Sequence, residues 1–172
     1  MVQLKRDLDM TTEITTNNES FETCASCGGD CCKTLPGIEW PERFLACQKP
    51  AEALANLLGS GRWVLAAHYG IPYDPATPPP DEVRFRKFYY PRPATTDEEG
   101  KGPHASATTG SCCFLGEHGC QLSFFERPRL CRELVPDKGL NCYSPVGKRD
   151  AALAWFNHQD LIEQCLKIMA DA

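Results

Sequence analysis

Two stretches, RWVLAAHY at residues 62–69 and VRFRKFYY at residues 83–90, decide the fold. Each is short, rich in aromatic and aliphatic side chains and bounded by turn formers, which is the composition of a strand. The segment IPYDPATPPP at residues 71–80 lies between them. Its prolines donate no ladder hydrogen bond and cannot extend either strand. The pair predicts a small antiparallel sheet. Helices accompany it: Pro41–Cys47 has proline in its first turn, and Pro50–Leu58 sets Leu54, Leu57 and Leu58 on one face before Gly59-Ser60-Gly61 stops it. From Lys148 to Met169 one long helix is predicted, with Trp155, Ile162, Cys165, Leu166 and Met169 on a stripe that Leu153 and Phe156 widen. The fold class is therefore α+β, a small antiparallel sheet with helices and an irregular cysteine-rich lobe.

The rest of the chain arranges itself around this unit. Residues 1–20 are polar and aperiodic, which predicts a mobile arm and leaves 21–172 as a single domain. A length of 172 residues with 42% apolar and 24% charged residues suits one globular domain, and 13 Gly with 14 Pro make it loop-rich. Residues 91–110, PRPATTDEEGKGPHASATTG, carry almost no large apolar side chain and are expected to form a mobile loop. A short helical segment is predicted to begin at Pro128 and stop near Pro136. The net charge of −5 argues against a nucleic-acid surface. No apolar run approaches the roughly 20 residues that span a bilayer. The opening MVQLKRDLDMTTEITTNNE has no secretory apolar stretch, so the expected location is the cytoplasm.

Eleven cysteines are the figure furthest from an average composition. In a reducing compartment such density points to metal binding or catalysis rather than to disulfides, and an odd count excludes complete internal pairing. One cluster reads Cys24-x2-Cys27-x3-Cys31-Cys32, where the two-residue gap lets two thiolates converge from a tight turn. Gly28 and Gly29 supply backbone freedom there, and Asp30 is placed to cap a short helical turn. The other cluster reads Cys112-Cys113-x6-Cys120-x10-Cys131-x10-Cys142, with gaps that only the fold can close. Between Cys32 and Cys112 lie 79 residues, an excursion that a shared metal would staple at its base. Cys47 and Cys165 fall in helical patterns and read as small buried hydrophobes.

Adjacent side chains on a regular backbone diverge, so Cys31 and Cys32 are expected to reach one ion only with local distortion. That tilts the reading from zinc towards iron and sulfur, although the spacing matches neither a ferredoxin pattern nor a zinc ribbon. A redox dithiol at Cys24 and Cys27 ranks below both, because no strand-then-helix context surrounds it.

The stretches CASCGGDCC (24–32) and SCCFLGEHGCQL (111–122), the run ERPRLCRELVP (126–136) and the closing Cys142 together resemble the cysteine-cluster proteins of the YkgJ type, described as a zinc- or iron-chelating domain. The resemblance implies a ligand set of Cys24, Cys27, Cys31, Cys32, Cys112, Cys120, Cys131 and Cys142 holding an iron–sulfur cluster or zinc. Cys112 matches better than Cys113, which is then an additional thiol. Related cysteine motifs occur in flagellin lysine-N-methylases, which are longer chains. The resemblance implies metal binding and leaves the reaction open.

Thiolates gathered on an ion leave negative charge, which Arg127, Arg129 and Arg132 can offset around the cluster. Pro128 at a helix start would bring Cys131 close to free N–H groups that lower its pKa. The same arginines could clamp an anionic substrate. His118 reads as a solvated turn residue ahead of a ligand, and His68, His104 and His158 have weaker claims. Arg84, Arg86, Lys87 and Arg92 interleave with Phe85, Phe88, Tyr89 and Tyr90 as base-stacking surfaces do, but a half-buried strand with one charged face gives the same pattern. No nucleophile elbow, phosphate loop or His-Glu-x-x-His helix is present. The expected function is metal chelation, with a surface for a protein or peptide partner. The alternative is an iron-dependent enzyme modifying a peptide or small substrate.

Overall fold

The computed structural model describes residues 28–34, 36–70, 76, 86–135 and 147–172. The arm expected over residues 1–20 lies outside them. The described elements are α1 (Asp30–Thr34), α2 (Glu42–Leu45), α3 (Pro50–Gly59), β1 (Trp63–Tyr69), β2 (Lys87–Pro93), the short hairpin β3 (Leu115–Gly116) and β4 (Gly119–Cys120), a 3-10 turn at Phe124–Glu126, α4 (Arg129–Arg132), α5 (Lys148–Phe156) and α6 (Gln159–Ala170). The protein is α+β, built on a two-stranded antiparallel sheet. No helix among the described residues is long and apolar enough to cross a membrane.

β1 lies between two neighbours, which is why Trp63, Val64, Leu65 and Ala66 are all buried rather than alternating. On one side it pairs with β2 from Trp63↔Pro93 to Tyr69↔Lys87. On the other, the Leu65 N–H donates to Pro103 O and the Ala105 N–H to Leu65 O. The core joins Leu54, Ala55 and Leu58 of α3 to Leu161, Ile162 and Cys165 of α6, with Trp63, Phe114 and Trp155 alongside. The Trp155 ring packs 6.0 Å from that of Phe44, and its Nε1–H donates to Glu39 O at 2.7 Å.

Several expectations need correction. The second strand was expected over 83–90; residues 83–85 lie outside the described residues, and β2 runs on through Pro91 and Pro93. The odd-numbered residues of β2 turn their backbone groups away from β1. The Tyr89 N–H donates to Gln159 Oε1 at 2.8 Å, Gln159 Nε2 donates to Tyr89 O, and the Glu39 N–H donates to Pro91 O. At 91 and 93 the absent N–H therefore costs no ladder bond, which is the position an edge strand allows to proline.

The expected mobile loop over 91–110 is instead closely hydrogen-bonded. Its core is polar, which is why a search for large apolar side chains misses it. Glu98, 1% exposed, accepts from Arg92 at 2.8 and 3.0 Å and from the N–H groups of Thr95, Ser106 and Ala107. Arg92 in turn donates to the carbonyls of Pro93 and Ala107.

The single helix expected over Lys148–Met169 is two, parted at Asn157-His158. The break lets Trp155 remain buried while Gln159 turns its amide onto the backbone of Tyr89, capping the open edge of β2 and also donating to Trp155 O. Trp155, Ile162 and Cys165 are buried as the stripe predicts, whereas Leu153 is exposed. Cys47, expected in the core, is exposed at the end of α2, beyond the turn that buries Phe44.

Candidate metal centre

Four loop-borne segments meet at the cysteines. The first turns on Gly28 and Gly29, both at positive φ, and enters α1. A Cβ on Gly29 would also stand 2.5 Å from Leu115 Cδ1, so that side chain would have to move aside. Asp30, expected as a cap, is the first helical residue and pairs with Lys33. The second segment, Ser111–Cys113, is tied to the first by backbone bonds. The Cys112 N–H donates to Cys32 O at 2.7 Å and the Gly110 N–H to Thr34 O at 2.8 Å. The third is the β3–β4 hairpin, where Cys120 pairs with Leu115. The fourth is α4, whose Leu130 N–H donates to Ile38 O and whose Cys131 sulfur packs on Gly37.

The thiols feel one another across these segments. The Cys31 and Cys32 sulfurs are 3.9 Å apart. Two ligands on one tetrahedral ion with metal–sulfur bonds of 2.3 Å stand about 3.8 Å apart. Although side chains of neighbouring residues were expected to diverge, a helical turn brings these two sulfurs together. A hydrogen bond from Cys32 pulls the Cys31 thiol down, and the same bond pushes Cys32 up, aided by burial and by the charges of Cys31, Cys131 and Cys112. Cys112 is raised by its hydrogen bond with Cys113, by burial and by the charges of Cys113 and Cys131. Cys131 is pushed up to about 12 by burial, with Cys31 and Cys120 adding to the rise and the Gly37 N–H and Arg127 opposing it. The helix start at Pro128 was expected to lower this thiol. Burial outweighs it, and α4 has a single turn to offer.

Cys112 and Cys113 face different surroundings. Cys112 interacts with Cys32 and Cys131. Cys113 hydrogen-bonds Arg62 O at 3.5 Å and is lowered mainly by its bond with Cys112, with Arg62 assisting. Arg127 is buried, its Nε–H held by Leu122 O, and its charge lowers both Cys31 and Cys131. Arg129 and Arg132, expected to offset thiolate charge in the same way, are engaged by carboxylates instead. Arg129 pairs with Glu133 at 2.6 Å and Glu42 at 3.8 Å, and Arg132 stands 4.0 Å from Glu39. His118 is exposed in the β3–β4 turn. Along β2 the cations are occupied within the molecule: Lys87 lies 4.9 Å from the Tyr89 ring, and Arg92 is buried against Glu98.

Among the described residues, no three His, Cys, Asp or Glu side chains form a complete ion site. Cys24, Cys27 and Cys142 lie outside the described residues. Cys31, Cys32, Cys112, Cys120 and Cys131 lie within electrostatic reach of one another across these segments. Sequence reasoning overlooked Gly37 and Glu39. The available signal was a carboxylate within the apolar run Ile38-Glu39-Trp40, four residues before Arg43. Comparison with family models, with curated proteins and with solved structures finds no match.

Proposed function

We propose that this chain is a metal-binding protein that chelates zinc or iron, the latter as an iron–sulfur cluster, through Cys24, Cys27, Cys31, Cys32, Cys112, Cys120, Cys131 and Cys142, as the YkgJ-type resemblance implies. The observation that carries the reading is the bond from the Cys112 N–H to Cys32 O, which closes a 79-residue excursion and joins the backbones of the early and late cysteine segments. Thiols gathered this closely resist ionising together, and a bound cation would supply the charge that lets them do so. Arg127 would offset part of the remaining negative charge. The 3.9 Å separation of Cys31 and Cys32 removes the argument that favoured a polynuclear cluster over a single ion, so both fit the donors.

Metal uptake by this set is coupled to pH. Cys32, Cys112 and Cys131 are held above the ordinary thiol value and carry their protons at neutral pH, so an incoming ion must displace them. Titrating the reduced, metal-free chain with zinc in weak buffer near pH 7 is expected to release about two to three protons per ion, with affinity falling as pH is lowered. Binding without proton release, or with an affinity independent of pH, would contradict ligation by these thiols.

A further inference from the structure

Residues 37–39 run alongside residues 129–131 in the opposite direction, and each makes a contact of its own. The Arg129 N–H donates to Glu39 Oε1 at 3.0 Å, and the Leu130 N–H donates to Ile38 O at 3.2 Å. At the third step a Cβ on Gly37 would stand 2.4 Å from Cys131 Sγ and 3.3 Å from Cys131 N. Gly37 has no positive φ to account for it, so the sulfur is the reason a larger residue does not fit. Its N–H also opposes the upward push of burial on the Cys131 thiol, as a donor facing sulfur does. Glu39 anchors the strap. Its carboxylate is fully buried and accepts from the Trp40 N–H at 3.0 Å and from Arg43 Nη1 at 2.6 Å, while its carbonyl accepts from Trp155.

We propose that Gly37-Ile38-Glu39 is a positioning strap for the metal centre: Glu39 fixes the start of α4, and Gly37 leaves the space in which the Cys131 sulfur is held as a ligand. This rests on the chelation reading above, and it goes further in assigning residues outside the cysteine motifs to the centre. Groups that orient ligands from behind typically change metal affinity 10- to 100-fold when removed. The strap contributes no donor atom itself. It sets where one donor stands.

The test uses the full chain, reduced and metal-free, titrated with Co2+ alone, whose thiolate charge-transfer absorbance reports how many sulfurs bind. Gly37→Ala forces the Cys131 sulfur aside, and Glu39→Gln keeps the volume while removing the anionic acceptor. Each is expected to weaken Co2+ binding about 10- to 100-fold and to lower the charge-transfer absorbance per bound ion. Two controls isolate the effect. Gly59→Ala adds a Cβ in open space, and Glu52→Gln removes one carboxylate from an exposed ion pair with Lys49; both should leave the absorbance per ion unchanged. Should Gly37→Ala fail to fold, Glu39→Gln carries the test. If the wild-type chain binds Co2+ through thiolates and both strap variants match it, the strap inference is overturned and the chelation reading stands. A wild-type chain that shows no charge-transfer band overturns both.

Discussion

Glu98→Gln is expected to destabilise the protein by about 3–5 kcal/mol, the cost of leaving a buried charge without its partner. Arg92 and Glu98 are 2% and 1% exposed at the side chain, so water cannot replace what the substitution removes. For a chain of this length the loss corresponds to a fall in thermal midpoint of roughly 6–20 °C. Burial alone would raise the Glu98 pKa. The Arg92 guanidinium and the N–H groups of Thr95 and Ala107 overcome it and hold the carboxyl down at about 2. Because the folded value lies below the unfolded one, the stabilisation is fully present above about pH 4.5 and disappears as pH falls towards 2. Its size is roughly 3 kcal/mol. Urea unfolding from pH 6 to pH 2 should show this slope in the wild type and lack it in Glu98→Gln. Equal stabilities at pH 7, within about 0.5 kcal/mol, would mean the pair does not hold the loop.

Cys32→Ser and Cys131→Ser are each expected to lower bound metal to less than half the wild-type content and to lower thermal stability in the same step. Structural zinc sites contribute on the order of 10–16 kcal/mol in small domains, so weakening one reaches the scale of a whole fold's stability. The two positions lie 99 residues apart in sequence and come close only in the folded state. Loss at both therefore reports a shared centre. Cys47→Ser is the matched control, since Cys47 is exposed and its thiol donates to Arg43 O at 3.5 Å. Full metal content in both variants would remove Cys32 and Cys131 from the ligand set.

How much of this was legible in the sequence depends on which force decides each element. α3 could be read almost to the residue, because Pro50 starts it, Leu54 and Leu58 mark its buried face, and the Gly59-Ser60-Gly61 stretch ends it. β1 was legible for the same local reasons. The far end of β2 was not, because Pro91 and Pro93 are breakers everywhere except on the outward-facing positions of an edge, and only the pairing register reveals that they occupy those positions. Residues 94–110 were misread because Glu98 holds them, and a buried carboxylate looks like a solvated one until its donors are known. The division between α5 and α6 escaped for a related reason: the stripe from Trp155 to Met169 is periodic through the break, and the cause lies in Gln159 meeting Tyr89, 70 residues away.

The cysteine centre divides in the same way. The Cys112 N–H to Cys32 O bond joins the early and late cysteine segments at the backbone, a long-range contact that no local pattern specifies. The roles of the arginines were not readable. Arg127 stands by the thiols while Arg129 and Arg132 answer to Glu133, Glu42 and Glu39, a partition that depends on which side of a one-turn helix each residue occupies. Glu39 and Gly37 were invisible because neither belongs to a cysteine motif.

The central claim is tested most directly by measuring metal and acid-labile sulfide, with a visible absorption spectrum, on the full chain purified without oxygen. The account predicts zinc, or iron accompanied by sulfide, at stoichiometric level. A chain that carries neither metal, and takes up neither when reduced and titrated, contradicts it.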